Sequence, residues 1–264
     1  MIARFLLLSL LSQLVAACDN SEIAQRDAES FSESERIVSE YRDLSNRARE
    51  SGGAEDQFAA FTFANENARV LEDFMPEAVQ FLVDAANSGH ADAQYDLGYL
   101  VESGRWLEKN EEYAHILYEK AARQGQPNAE LRVGLARFRS YFSESDEQLK
   151  SRLLAEAECW LRKTIDSDQL LPSTSTVVDA KAWLGQVLLV RAPDDEEGLK
   201  LLQEAAIAGN TTAIDSLNDF YVITKEEEAA SDADPRVIRT YNELTRFVKD
   251  NPTLFREAST DGVK

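Results

Sequence analysis

The sequence predicts an all-α chain: a right-handed α-solenoid of helix-turn-helix repeats, closed by a C-terminal capping helix. Three observations carry that expectation. First, a skeleton of small residues returns along the chain. It reads Ala78, Leu82, Ala85-Ala86, Gly89 and Ala93, then Ala114, Tyr118, Ala121-Ala122, Gly125 and Ala129, then Gly198, Leu202, Ala205-Ala206, Gly209 and Ala213. A worn copy lies between them as Ala157, Leu161, Thr164-Ile165 and Asp168, with its last alanine displaced to Ala180. Second, the steps from Ala85 to Ala121, Thr164 and Ala205 are 36, 43 and 41 residues, the period of stacked supersecondary units. Third, each skeleton leads into a second apolar stripe that carries Leu97-Gly98, Val133-Gly134, Leu184-Gly185 or Leu217-Asn218.

The spacing has a direct physical meaning. A small residue at i, a large one at i+4 and alanines at i+7 and i+8 fall on one face of a helix. Small side chains let a neighbouring helix approach, and Leu82, Tyr118, Leu161 and Leu202 fill the space between. Gly89, Gly125 and Gly209 stand where that helix stops, in a backbone conformation cheap only for glycine. One such unit cannot bury its own apolar face, so units stack.

The run Ala-x-x-x-Leu-Gly, a variable loop, then Ala-Ala-x-x-Gly resembles the Sel-one-like repeat, a relative of the tetratricopeptide repeat. The resemblance covers roughly residues 58–225 and is closest at 78–104 and 114–138. Two features depart from it: the usual Gly-x-Gly turn survives only as Gly104, and the paired cysteines of the secreted branch are missing.

Ahead of the repeats, Met1 to Arg4 is a short basic segment and Phe5 to Val15 an apolar run too short to span a bilayer. Val15-Ala16-Ala17-Cys18 resembles a bacterial lipobox. That resemblance implies cleavage before Cys18, acylation there with palmitate among the chains, and a periplasm-facing, lipid-anchored location in the cell envelope. Asp19 resembles the inner-membrane retention signal of enteric lipoproteins. Residues 1–17 are thus expected to be a signal peptide and 18–35 a lipidated cysteine with a disordered tether, polar and rich in Ser, Glu and Asp. Residues 36–57 follow as an N-terminal helix with Ile37, Tyr41, Leu44 and Ala48 at helical spacing, stopped by Gly52-Gly53.

Within the array (58–225), Pro76 favours a helix start rather than an interior. Asn110 and Asp194 suit N-caps, and Asp194 to Glu197 reads as an acidic helix start rather than a calcium loop. Residues 170–177 read as an insertion. Cys159, beside Trp160, reads as a small packing residue. Residues 226–264 form a charged linker and the capping helix, opened by Pro235, with Val237, Ile238, Tyr241, Leu244, Phe247 and Val248 on one side. Such a helix covers the open end of a stack.

Composition narrows the partners. The chain has 264 residues, 48 acidic against 28 basic side chains, and a formal net charge of −20. It repels phosphate, so nucleic acid is a poor partner and a basic protein a suitable one. No Gly-x-Ser-x-Gly, His-Glu-x-x-His, Cys-x-x-Cys, Ser-x-x-Lys or phosphate loop is present, and His90 and His115 lack a second ligand at useful spacing. No enzyme activity, metal or cofactor is therefore expected.

By analogy with tetratricopeptide repeats, the positions three before, one after and four after each helix glycine line a concave face. They are Tyr95, Tyr99 and Glu102; Leu131, Leu135 and Phe138; Ala182, Gln186 and Leu189; and Asp215 and Asp219. Binding a protein partner there is the expected function, as an envelope scaffold or adaptor. The resemblance also admits a second role, an immunity protein that neutralises a type VI secretion phospholipase toxin. A cell-wall binding protein or enzyme would need a polar cleft that spacing does not reveal.

Overall fold

The computed structural model describes residues 29–228 and 235–255, and helices are the regular elements among them, with no strand. The expected signal peptide, Cys18, most of the expected tether and the final residues lie outside the described residues. The chain forms two compact units, residues 1–109 and 110–264.

The first unit holds α1 (residues 29–51), α2 (Ala54–Glu66), a short 3-10 turn (Glu72–Phe74), α3 (Met75–Asn87) and α4 (Ala91–Ser103). Helix α1 begins inside the segment expected to be a tether. Its first turns are held by Arg36, which bridges Glu33 and Glu40, and by Ser34 Oγ donating to the Ser30 carbonyl at 2.9 Å. Local ion pairs stabilise a helix without apolar burial, so a reading based on hydropathy misses it. Further on, Tyr41 and Ala48 are fully buried, and Leu44 and Ala48 pack with Ala60 and Phe81. The Tyr41 ring meets Phe74 at 5.3 Å, and its hydroxyl donates to Glu77, which also holds Arg49. Pro76 sits in the first turn of α3, as expected.

The second unit runs α5 (Glu111–Arg123), α6 (Pro127–Ser143), α7 (Glu147–Ile165), α8 (Ser175–Arg191), α9 (Glu196–Ile207), α10 (Thr211–Glu228) and α11 (Pro235–Asp250). Consecutive helices pack antiparallel in pairs, and α6, α8 and α10 also touch in that order, making one layer of the unit. One core joins Phe138, Leu154, Ala157, Leu161, Ala180, Leu184 and Leu188. A second joins Leu189, Leu199, Leu202, Leu217, Leu244 and Phe255. Leu244 of α11 is fully buried in that second core, with Phe247 and Val248 packed beside it, so α11 covers the apolar face as the sequence predicts.

The Ala-Ala-x-x-Gly skeleton acts through its backbone. Gly89, Gly125 and Gly209 have φ of +95°, +84° and +87°. Each donates its N–H to the second alanine of the pair (Ala86, Ala122, Ala206), and the next residue donates to the first (Ala85, Ala121, Ala205). These paired bonds satisfy the last helix carbonyls. The residue after the glycine then caps the following helix: His90 Nδ1, Gln126 Oε1 and Asn210 Oδ1 accept from the N–H groups of Ala93, Ala129 and Ala213. Thus one short motif both ends a helix and begins its successor.

Three local expectations are corrected. Asp195 rather than Asp194 caps α9, accepting from Gly198 N at 2.8 Å, while Asp194 pairs with Arg236 of α11. Helix α9 begins at Glu196, so Asp195 is the residue that stands at its N-cap. The insertion is shorter than 170–177, because α8 already begins at Ser175, five residues ahead of Ala180 where other helices start two ahead of their alanine. Cys159 is exposed on α7 rather than packed. Its neighbours Ala157 and Leu161 take the core face instead.

Candidate protein-interaction surface

In the first unit, Tyr95 and Glu102 are half-buried, and Tyr99 is exposed on α4. In the second unit the expected column splits. Phe138 and Leu189 are core residues, 4 % and 1 % exposed, and Ala182 is fully buried. They do not line an open face: Phe138 and Leu189, four after their helix glycines, turn into the cores shared with neighbouring helices, and Ala182, three before Gly185, is buried in the same core as Leu189. Leu131 is half-buried against the Phe138 core. What remains accessible is Leu135 on α6, Gln186 on α8, and Asp215 and Asp219 on α10. Gln186 Nε2 donates to Ser216 Oγ at 2.9 Å, which fixes its amide between α8 and α10.

The structure adds residues that the spacing rule passed over. Phe142, one turn beyond Phe138 on α6, is 66 % exposed and meets Phe138 edge-on at 5.2 Å. Tyr141 lies edge-on to Phe142 at 5.1 Å and carries the Lys150 ammonium over its ring at 5.6 Å. Trp183 of α8 meets Phe138 at 6.3 Å and is half-buried. Phe138 is thus the buried footing of a four-aromatic cluster whose outer members reach solvent. Leu135 on α6 is half-buried, and Val190 and Val222 are further exposed apolar side chains on α8 and α10. The i, i+4 repetition from Phe138 to Phe142 was the available signal, one step past where the rule stopped.

Charge and polarity vary across the layer. Asp215 and Asp219 are exposed on α10. At the start of that helix Asn210 Nδ2 donates to Asp179 of α8 at 2.6 Å, while burial pushes the Asp179 carboxyl above its ordinary range. Behind the layer, Arg137 of α6 donates to Glu119 of α5 and Glu156 of α7. Arg162 of α7 forms a two-bond pair with Glu197 of α9 and also holds Glu158, which Arg191 of α8 shares. The Glu197 carboxyl lies below its usual range, because Arg162 hydrogen-bonds its charged form. These networks tie helices together and leave the aromatic surface apolar.

Among the described residues no group of three or more His, Cys, Asp or Glu could hold a metal, and no helix is long and apolar enough to cross a membrane. His90 is a helix cap with its Nε2 3.3 Å from Glu55. His115 lines a cavity of about 190 Å³ with Glu119, Val133, Ala136, Arg137 and Ser140, where Arg137 is already held by carboxylates.

Comparison with known proteins bears on residues 91–126 and 180–210, both of which match the Sel1 repeat model. The chain carries Sel1 repeats. Repeats of this kind typically serve as non-enzymatic scaffolds for protein–protein interaction. Over 46 residues the chain is 50 % identical to the chitin synthase regulator SKT5 of Saccharomyces cerevisiae, a stretch that covers 17 % of this chain and 7 % of that protein. Among solved structures it is similar to a Sel1 repeat protein from Oxalobacter formigenes, at 21 % identity and a TM-score of 0.49 over 76 % of each chain. It is also similar to c5321, a protective antigen of uropathogenic Escherichia coli with an SLR fold, at 14 % identity and a TM-score of 0.41. That match covers 83 % of this chain and 58 % of the antigen.

Proposed function

We propose that the chain is an envelope-anchored protein-interaction module, held to the membrane through Cys18. It binds a basic protein partner on the layer formed by α6, α8 and α10. The observation that carries the binding reading is the aromatic cluster of exposed Phe142 with half-buried Tyr141 and Trp183, in a chain that matches a repeat of the protein-interaction kind. Large aromatics beside a fully buried neighbour are the side chains that dominate interface energies. Asp215 and Asp219 on α10 would favour a cationic segment that steers toward the acidic chain before it docks. The anchor rests on Val15-Ala16-Ala17-Cys18 and the apolar run before it. A scaffold or adaptor is the role these features support.

The test separates the two parts. A photo-crosslinking residue at Phe142 in the full-length protein, expressed in its own cells, should capture one dominant protein, and the same group at exposed Arg152 on α7 should not. Trp183→Ala should weaken that capture about 30-fold, the effect of removing an anchor worth about 2 kcal/mol. Equal capture from both positions, or none from Phe142, would remove the surface reading. Separately, radiolabelled palmitate should enter the wild type and be absent from Cys18→Ala. An unlabelled wild type would remove the anchor and leave the surface standing.

A further inference from the structure

The position four residues before each helix glycine, or before Asn218 in the last repeat, holds a different side chain every time: Gln94, Glu130, Lys181 and Ile214. In the first unit Gln94 closes a turn. Its Nε2 donates at 3.1 Å to the Ala86 carbonyl, which also receives the Gly89 N–H at 3.1 Å, so the side chain ties α4 to the end of α3.

The second unit repeats this backbone. Ala122 stands eight residues before Glu130, as Ala86 does before Gln94, and its carbonyl receives the Gly125 N–H at 3.0 Å. Glu130, in the first turn of α6, is 6 % exposed, and among the described residues no hydrogen bond or ion pair reaches its carboxyl. An ionised carboxylate can only accept, and an alanine carbonyl offers it nothing. A carboxylic acid can donate.

We propose that Glu130 is a proton-operated latch: as the neutral acid it donates to the Ala122 carbonyl and closes α6 onto α5, and on ionisation that bond is lost. The charged groups around it fit this role. On α5, Arg123 is held by Glu119. On α6 itself, Arg137 is shared by Glu119 and Glu156. On α7, Arg162 is occupied by Glu158 and Glu197, and Lys163 lies over the Trp160 ring at 4.2 Å. Lys163 is therefore the one cation among these available to compete for the ionised form. Burial raises the Glu130 carboxyl above its ordinary range, and the field of Lys163 opposes the rise. A carboxyl raised in the folded state contributes stability that is complete at low pH and disappears as pH climbs through the folded value. The latch therefore holds in acid and releases toward neutrality.

The experiment is thermal unfolding of the full-length protein at pH 4 and pH 8, comparing wild type with Glu130→Gln and Lys163→Met. Glutamine keeps a donor at every pH. Glu130→Gln should match wild type at pH 4 and exceed it by about 3 °C at pH 8, the shift expected for one hydrogen bond in a protein of this size. Lys163→Met should move the loss of wild-type stability to higher pH. The proposal fails if the difference between Gln and Glu is the same at both pH values. It also fails if Glu130→Gln is the weaker protein at pH 8, which is the result a Glu130–Lys163 ion pair would give. Hydrogen exchange supplies an independent reading. The Gln126 and Ala129 amides should lose protection at pH 8 in wild type, after correction for intrinsic exchange, and keep it in Glu130→Gln.

Discussion

Gly185 and Gly198 meet backbone to backbone. A Cβ built on Gly185 would lie 2.8 Å from the Gly198 carbonyl oxygen and 2.7 Å from Leu202 Cγ, and one on Gly198 would lie 3.0 Å from the Gly185 carbonyl oxygen. Helices α8 and α9 therefore cross at a distance that only hydrogen atoms permit. Gly185→Ala should cost about 1–3 kcal/mol, the range for overpacking a tight contact. Gly134→Ala should cost less, since its Cβ would meet the flexible Leu161 side chain at 3.0 Å rather than a carbonyl. Urea titration of both variants checks the order, and equal losses would contradict it.

Asp96 of α4 provides a second prediction. Burial, with the nearby Asp92 charge, raises its carboxyl to about 6, while His90 pulls it down. The charged form is the disfavoured one. Asp96 thus lowers stability as pH rises from its ordinary value near 4 through about 6, and has no such effect in acid. Asp96→Asn should stabilise the protein at pH 7.5 by up to about 3 kcal/mol and leave it unchanged near pH 3.5. Denaturant unfolding at the two pH values decides.

The Arg137 network gives a third. Arg137 stands three residues after its helix glycine, where α4 buries Val101 and α8 buries Leu188. Truncation to Ala should cost about 1–2 kcal/mol by removing the cation that Glu119 and Glu156 share and opening space, Arg123 and Arg152 still holding those carboxylates from outside. Arg137→Leu restores the residue type of α8 and should cost less than the alanine variant, because an apolar side chain can replace an ion pair with little loss. Raising salt should narrow the gap between wild type and Arg137→Leu, and an unchanged gap would argue against the electrostatic account.

Asn210 makes two bonds where Asn110 makes one. Both cap a helix, but only Asn210 also donates to Asp179 across to α8. Asn110→Ala should cost about 1 kcal/mol and Asn210→Ala about 2. Thermal melts of the pair check the difference.

Cys159, exposed on α7, should react with a maleimide as fast in native protein as in urea, and Cys159→Ser should change stability by less than about 0.5 kcal/mol. Slow labelling that speeds up only on unfolding would restore the packed reading.

The fold was legible wherever backbone sterics dictate the residue. Gly89, Gly125 and Gly209 need a left-handed backbone, and the alanines before them supply both the carbonyls of the turn and the thin face of the helix. That is a chemical requirement, so it appears as a pattern. The surface was less legible for a reason visible in Phe138 and Leu189. Both obey the spacing that should line a groove, yet the way α6, α7 and α8 pack turns that position inward. Side-chain direction relative to a neighbouring helix depends on crossing geometry, which spacing along one helix does not contain. The first turns of α1, residues 29–35, were read as tether because Arg36, Glu33 and Glu40 hold them through charge, and charge-rich segments read as disordered; the rest of that helix was expected from its apolar spacing.

Burial of Leu244 and Phe255 by the final helix has a consequence for assembly. The surface beneath them, built from Leu199, Leu202 and Leu217, is the kind on which a further repeat would settle. Stripped of residues 235–264, the molecule would present that apolar end to solvent, and copies would associate through it, most simply as a two-fold pair with the same end of each buried against the other. In that sense α11 works as a lid that keeps the protein from pairing with itself.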